Sequence, residues 1–399
     1  MRHQVVVYHS ECSRAERVLD TLRTKMTELG LDSENDLDIV GLRDAESKVE
    51  FKGIPVCLWF GHPEQVDDED LQILTKLLDR GVAFLPLVSD LENFQEEIPT
   101  PLHSINGISE NDELTILNTL MSLLHWIPSE RRVFISYCRK ESSAVAKQLF
   151  ESLSFKGFNV FLDTVSVQGG EHFQRRLLDR LNDFDLLILL DTPGISKSIW
   201  VREELVTVQN LGMGVFQVVW PDRKFEQTLA LNQRHELEHD NFIDKNVSCQ
   251  LHLSVIEALV SEILSFRLRS LGARRQSIIG EFLKKIESYN RFNPNNLINV
   301  HIIPGHELWI QKRNENVWVW PSTRQPTSFM IHEKAEANRI ATLPQVFGSS
   351  LLASGKNDFI LYDGLGIHPD MLAHLAWLRK HLPLLTRSID SIDDWLLNL

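Results

Sequence analysis

Two carboxylates stand side by side in Ser198–Leu205, SIWVREEL. The stretch reads as helix, so phase decides which acid can do chemistry. At about 100° per residue, Val201, Leu205 and Val208 share one apolar stripe. Glu204 then lies roughly 60° from Val201, beside Trp200 at the edge of that stripe, while Glu203 faces away toward water. A carboxylate half-buried beside an aromatic ring can have its pKa and orientation tuned. The plain alternative is a first-turn glutamate favoured by the helix dipole.

A second acidic pattern, His235-Glu236-Leu237-Glu238-His239, matches HExxH. On a long amphipathic helix such a pair of histidines binds zinc and the glutamate activates water. Glu257 or Glu262 has the spacing of a third ligand. The flanks, ALNQRHELEHDNFIDKN, are polar and hardly amphipathic. A solvated charge cluster in a helix or loop is therefore the expected reading, with no metal site. Arg139 and Lys140 follow a strand, RVFISY (132–137), at its carboxyl end, where α/β sheets bind ligands. They could meet an anionic phosphate or be solvated loop charges. Gly169 and Gly170 form a flexible loop that could gate entry. Phe134 could stack on a base, although a core position is the expectation.

The elements that must position these residues form three α/β segments. In residues 1–128, QVVVY (4–8), IPVCLWF (54–60) and VAFLPLV (82–88) alternate with amphipathic helices, and ELTILNTLMSLLHW (113–126) closes the segment. Such alternation implies a parallel sheet covered on both faces. Residues 131–271 repeat the order with RVFISY, NVFLD (159–163), DLLILLD (185–191) and VFQVVW (215–220), and a closing helix over 253–271. Pro63 and Pro193 stand 130 residues apart, and VVVY and VFISY are offset by nearly the same amount. Duplication and an unrelated pair of doubly wound domains both account for this. A basic helical connector over 268–289 leads to residues 285–399. There LINVHIIP, ELWIQKR and NVWVWPS suggest a small antiparallel sheet, followed by a strand, a glycine turn and a proline-started helix. Trp318 and Trp320 would share one strand face, as core.

The 399 residues carry a net charge of −14, which speaks against nucleic acid or an anionic membrane as the main partner. The N-terminal apolar run is too short for a signal peptide, and no window approaches the ~18 apolar residues of a membrane span. Cys12, Cys57, Cys138 and Cys249 are scattered, as expected for reduced thiols in the cytoplasm.

The stretch RRVFISYCRKES resembles the first box of the Toll/interleukin-1 receptor (TIR) domain family. GFNVFLD is similar to its second strand, and TVSVQGGEHFQRRLLDRLNDFDLLILL to its glycine-containing loop, helix and third strand. SIWVREEL is similar to the family's Ser-x-Trp-x-x-x-Glu-Leu helix. Four features in order and spacing make the resemblance specific, over about a third of the chain. It implies a flavodoxin-like TIR domain in the centre, a degenerate TIR-like domain before it and a regulatory or sensor domain after it.

The family contains scaffolds that self-associate and enzymes that cleave NAD at the nicotinamide–ribose bond. In the enzymes the catalytic glutamate stands four residues after the tryptophan, here Glu204 after Trp200. The resemblance places substrate contacts at Phe134, Ser136, Arg139, Lys140, Gly169, Gly170 and Trp200. NAD is then the substrate and no cofactor is needed. ADP-ribose or its cyclic form would be the product, and assembly, or a ligand or protein at either flanking domain, would be the trigger, in an immune or anti-phage setting. A non-enzymatic scaffold is the alternative, with a zinc protease more remote. Asp191 departs from the serine common after the family's corresponding strand. At the 130-residue offset Trp200 falls on Asp70 and Glu204 on Leu74, so the first segment would be catalytically dead.

Overall fold

The structure, a computed structural model, describes residues 3–8, 13–49, 55–62, 66–164, 183–194, 208, 212–221, 223, 232–303, 307–312, 315–328, 330–332, 334, 358–364, 367, 369–381 and 385–398. The chain divides into two compact units, residues 1–129 with 303–306, and residues 130–302 with 307–399.

In the first unit, β1 (His3–Tyr8), β2 (Leu37–Gly41), β3 (Val56–Phe60), β4 (Ala83–Val88) and β5 (Ile108–Ser109) form a sheet ordered β2-β1-β3-β4-β5, all parallel. Strands covered on both faces should be apolar throughout. Accordingly VCLWF of β3 is buried at every position. The Asp68–Asp79 helix begins where Asp67 accepts a hydrogen bond from the Asp70 N–H, with three acids in the first turn to complement the dipole. Leu74 of this helix is fully buried and Asp70 is paired with Arg43 at 3.0 Å. The position offset from Glu204 is therefore a core leucine. Sequence reading passed over β2 and β5, which are short and lack a clear apolar run.

In the second unit, β6 (Arg131–Tyr137), β7 (Phe158–Thr164), β8 (Leu186–Asp191), β9 (Gly214–Val219) and β10 (Asn232–Glu236) form a second parallel sheet, ordered β10-β9-β8-β6-β7. Counted from its own first strand this is the order 2-1-3-4-5, the same as in the first unit and that of flavodoxin-like folds. The Arg139–Phe155 helix connects β6 to β7 and ends at Gly157, whose φ of 78° needs no Cβ. The helix expected over 171–184 lies outside the described residues except for Asp183 and Phe184, which are not helical.

The closing helix and the basic connector prove to be one element, a 40-residue helix from Leu253 to Phe292. No proline interrupts it, and its apolar stripe continues past Gly272. Phe266 and Ser270 of its first half pack against Gly214 at the start of β9. Ile278, Ile279, Phe282 and Ile286 of its second half enter the core of a third sheet.

That third sheet contains β11 (Asn299–Ile303), β12 (Glu307–Lys312), β13 (Glu315–Ser322), β14 (Phe359–Tyr362) and β15 (Leu385–Ser388), in chain order. It is mixed rather than antiparallel: β12 and β13 run antiparallel, while β13, β14 and β15 are parallel. Helices Pro369–His381 and Ile392–Asn398 supply its remaining cover. Trp318 and Trp320 stack at 6.5 Å and pack with Ile360 and Tyr362 of β14 and Leu375 of the Pro369–His381 helix, a core role as expected.

A buried ion cluster joins the second and third sheets. Asp185, just before β8, receives Arg267 Nε at 2.5 Å on one oxygen and Arg324 Nη2 at 2.6 Å on the other. Arg267 and Asp185 have no exposed side-chain surface, and Arg324 is 7% exposed. The Ser270 hydroxyl donates to the Asp185 carbonyl at 3.1 Å and accepts from the Gly214 N–H at 2.9 Å. Such a cluster is tolerable in the interior only because each charge is paired and hydrogen-bonded.

Candidate functional site

The carboxyl edge of the second sheet gathers the residues that sequence reading singled out in β6. Phe134 and Ser136 are fully buried in that strand. Phe134 stacks on Phe161 at 5.5 Å and meets Phe184 edge-on at 5.6 Å. Its ring is therefore core, as the residue reading expected, and is not free to take a ligand base. Ser136 presents a hydroxyl with no hydrogen-bond partner. Arg139 and Lys140 are exposed in the first turn of the Arg139–Phe155 helix. The backbone breaks from helical geometry at Ser142, with φ of −133°, so these two residues lie in a separate turn ahead of the main helix. Glu203, Glu204, Trp200, Gly169 and Gly170 lie outside the described residues.

Asp191, noted above as a departure, joins polar groups of β9 and β10 that the sequence reading did not single out. Asp191 ends β8 almost wholly buried. Its two oxygens accept from Arg223 Nε and from Gln217 Nε2, both at 2.9 Å. Asn232 Nδ2 donates to Gln217 Oε1 at 3.1 Å. The departure at Asp191 is thus absorbed by a network that links the end of β8, the interior of β9 and the start of β10. The signal for it was Gln217, a lone polar residue in the apolar run VFQVVW.

Immediately after Asp191, Thr192 is fully buried and its hydroxyl also lacks a hydrogen-bond partner. Then comes Gly194, whose N–H donates to the Glu141 carboxylate at 2.8 Å. A Cβ on Gly194 would stand 2.5 Å from Glu141 Oε1, so a larger residue there displaces the carboxylate. The first turn after β6 and the turn after β8 are thereby tied together. Buried polar groups are normally satisfied, and within the described residues the hydroxyls of Ser136 and Thr192, on or just after neighbouring strands, are not.

The HExxH pattern runs along the β10 strand into a one-turn helix, His239–Asn241. The two imidazoles therefore lack the one-turn helical spacing a zincin needs. The helix or loop expected there is corrected to an edge strand, whose polar residues gave no apolar alternation to read. His235 Nδ1 lies 2.9 Å from Glu262. Among the described residues no group of three or more His, Cys, Asp or Glu could hold a metal ion, and no helix is long and apolar enough to cross a membrane.

Comparison with known proteins bears on the same region. Residues 133–244 match the family model for the TIR domain. Among curated proteins, the NAD(+) hydrolase sarm1 of Drosophila melanogaster is 28% identical over 130 residues, which covers 27% of this chain and 10% of the fly protein. The NAD(+) hydrolase SARM1 of Danio rerio is 28% identical over 140 residues, covering 32% of this chain and 20% of the fish protein. The match thus spans a fifth or less of these relatives. A solved structure described as a two-component system response regulator/GGDEF domain protein aligns with a TM-score of 0.30 at 14% identity, over 67% of this chain and 98% of that one. A Caulobacter myo-inositol binding protein aligns with a TM-score of 0.19 at 13% identity, over 55% of this chain and 74% of that one. At such scores neither structure carries an argument.

Proposed function

With residues 133–244 a TIR domain, we propose that the chain is an NAD(+) glycohydrolase that releases nicotinamide and ADP-ribose, or a cyclised form of it. The observation that carries this reading is a TIR domain in a chain with sequence similarity to two proteins named as NAD(+) hydrolases. Nicotinamide leaves from NAD as a neutral group from a cationic bond, so little acid catalysis is required. The reaction needs a carboxylate to hold the ribose hydroxyls and to stabilise the oxocarbenium-like charge as the bond breaks. Glu204, beside Trp200, takes that role.

Arg139 and Lys140 meet the pyrophosphate from the exposed helix start, and the orphaned Ser136 hydroxyl takes a polar group of the substrate. Phe134 supports the site from the core. Gly169 and Gly170 gate entry. Residues 1–128 and 285–399 control the activity through self-association of TIR domains or a trigger bound to either flank. Free-running NAD loss is toxic, so a cytoplasmic enzyme switched on by assembly suits immune or anti-phage defence.

The test is nicotinamide release from NAD by the purified protein, beside Glu204→Gln and Glu203→Gln. Loss of activity in Glu204→Gln with Glu203→Gln retained is the expected result. Activity equal in wild type and Glu204→Gln rejects the assignment. A protein inert at every concentration and assembly state instead favours a TIR scaffold.

A further inference from the structure

Gly194 stands six residues before Trp200 and ten before Glu204 in the chain. What fixes Gly194 therefore bears on where the stretch that carries them starts. Its N–H is held by the Glu141 carboxylate at 2.8 Å, from a residue 53 positions earlier in the chain. Glu141 lies in the turn between Cys138 and the break at Ser142, and its N–H donates to the Cys138 carbonyl at 3.0 Å. The turn so held also carries Thr192, whose hydroxyl is buried without a partner, as is that of Ser136 on the strand leading to Glu141.

We propose that Glu141 is a positioning residue: its carboxylate latches the Thr192–Gly194 turn and so sets the origin of the segment that presents Glu204. The proposal rests on the reading of Glu204 as the catalytic carboxylate. The latch needs an oxygen acceptor at the end of a four-atom side chain and does not need a negative charge. Glutamine supplies the same acceptor and alanine does not. Misplacing a reacting group by an ångström lowers turnover steeply without changing ground-state binding in proportion.

The experiment measures kcat and KM for NAD in the full chain for Glu141→Ala, Glu141→Gln and Gly194→Ala. Glu141→Ala is expected to lower kcat about tenfold or more, with KM changed by less than about twofold. Glu141→Gln should keep kcat within about threefold of wild type, because an acceptor remains. Gly194→Ala pushes the flexible carboxylate aside and should behave as Glu141→Ala, and the double variant should be no worse than either single one. Glutamine as damaging as alanine, or alanine without effect, overturns the proposal.

Amide hydrogen exchange of peptides containing Gly194, without NAD, reads the latch apart from turnover. Exchange should quicken in Glu141→Ala and not in Glu141→Gln. Equal exchange in all forms overturns the latch. The exchange difference in a protein that never cleaves NAD keeps the latch and rejects its catalytic purpose, which separates this failure from that of the NAD reading.

Discussion

Asp185 shows how much a single residue can depend on distant ones. Burial alone would raise its carboxyl, but Arg267 and Arg324 outweigh that and hold it below the usual carboxylate range. Removing one member of such a cluster strands the others in the interior. Asp185→Asn should therefore cost about 3–5 kcal/mol, read as the shift in denaturant midpoint, whereas a packed apolar replacement of the whole cluster should cost far less. The sign of the pH dependence follows from the depressed folded pKa. The stabilisation is complete above the unfolded carboxylate value of about 3.9 and is lost as pH falls through the lower folded value. Thermal scans from neutral pH into that acid range should show wild type losing this share while Asp185→Asn does not. None of this was legible in DLLILLD, because the partners lie 82 and 139 residues away. Glu204, by contrast, is singled out by phase and a neighbouring tryptophan, both local, and lies outside the described residues. Glu141 was missed because its partner is a backbone N–H across the sheet edge.

At the scale of elements, the Leu253–Phe292 helix serves two sheets, and its glycines test each half. Gly280 has open space where a Cβ would go. Glycine inside a helix costs chain entropy, so Gly280→Ala should add about 0.5–1 kcal/mol of stability. On the first half, a Cβ on Gly214 would stand 2.7 Å from the Ser270 hydroxyl and 2.9 Å from the Phe266 ring. Gly214→Ala should accordingly destabilise by about 1–3 kcal/mol, the usual range for overpacking. Equilibrium denaturation of both variants checks the opposite signs. Apolar runs disclosed the buried strands β1, β3, β4, β6, β8 and β9, since a strand covered on both faces has few ways to be polar. They could not disclose β10, an edge strand reading NQRHE, or that two helical stretches are one.

For the whole molecule, the sheet order 2-1-3-4-5 appears twice, and the third sheet shares a helix and an ion cluster with the second. The sequence places the end of the TIR-like segment at residue 271, where the family resemblance ends. The cores divide it differently: residues 130–302 and 307–399 form one compact unit. A fragment ending at Phe292 would keep Ile278, Ile279, Phe282 and Ile286 but lose the strands that bury them. It would also leave Asp185 with Arg267 alone. Each exposed large apolar side chain forfeits about 1.5–3 kcal/mol of burial, and together they exceed the margin of an ordinary domain. Residues 130–292 should therefore melt well below residues 130–399 and bind a hydrophobic dye at room temperature. Residues 130–399 should unfold in one calorimetric transition, with the ratio of calorimetric to van't Hoff enthalpy near one. Two separated transitions, or equal melting of the two fragments, would show that the third sheet is an independent attachment.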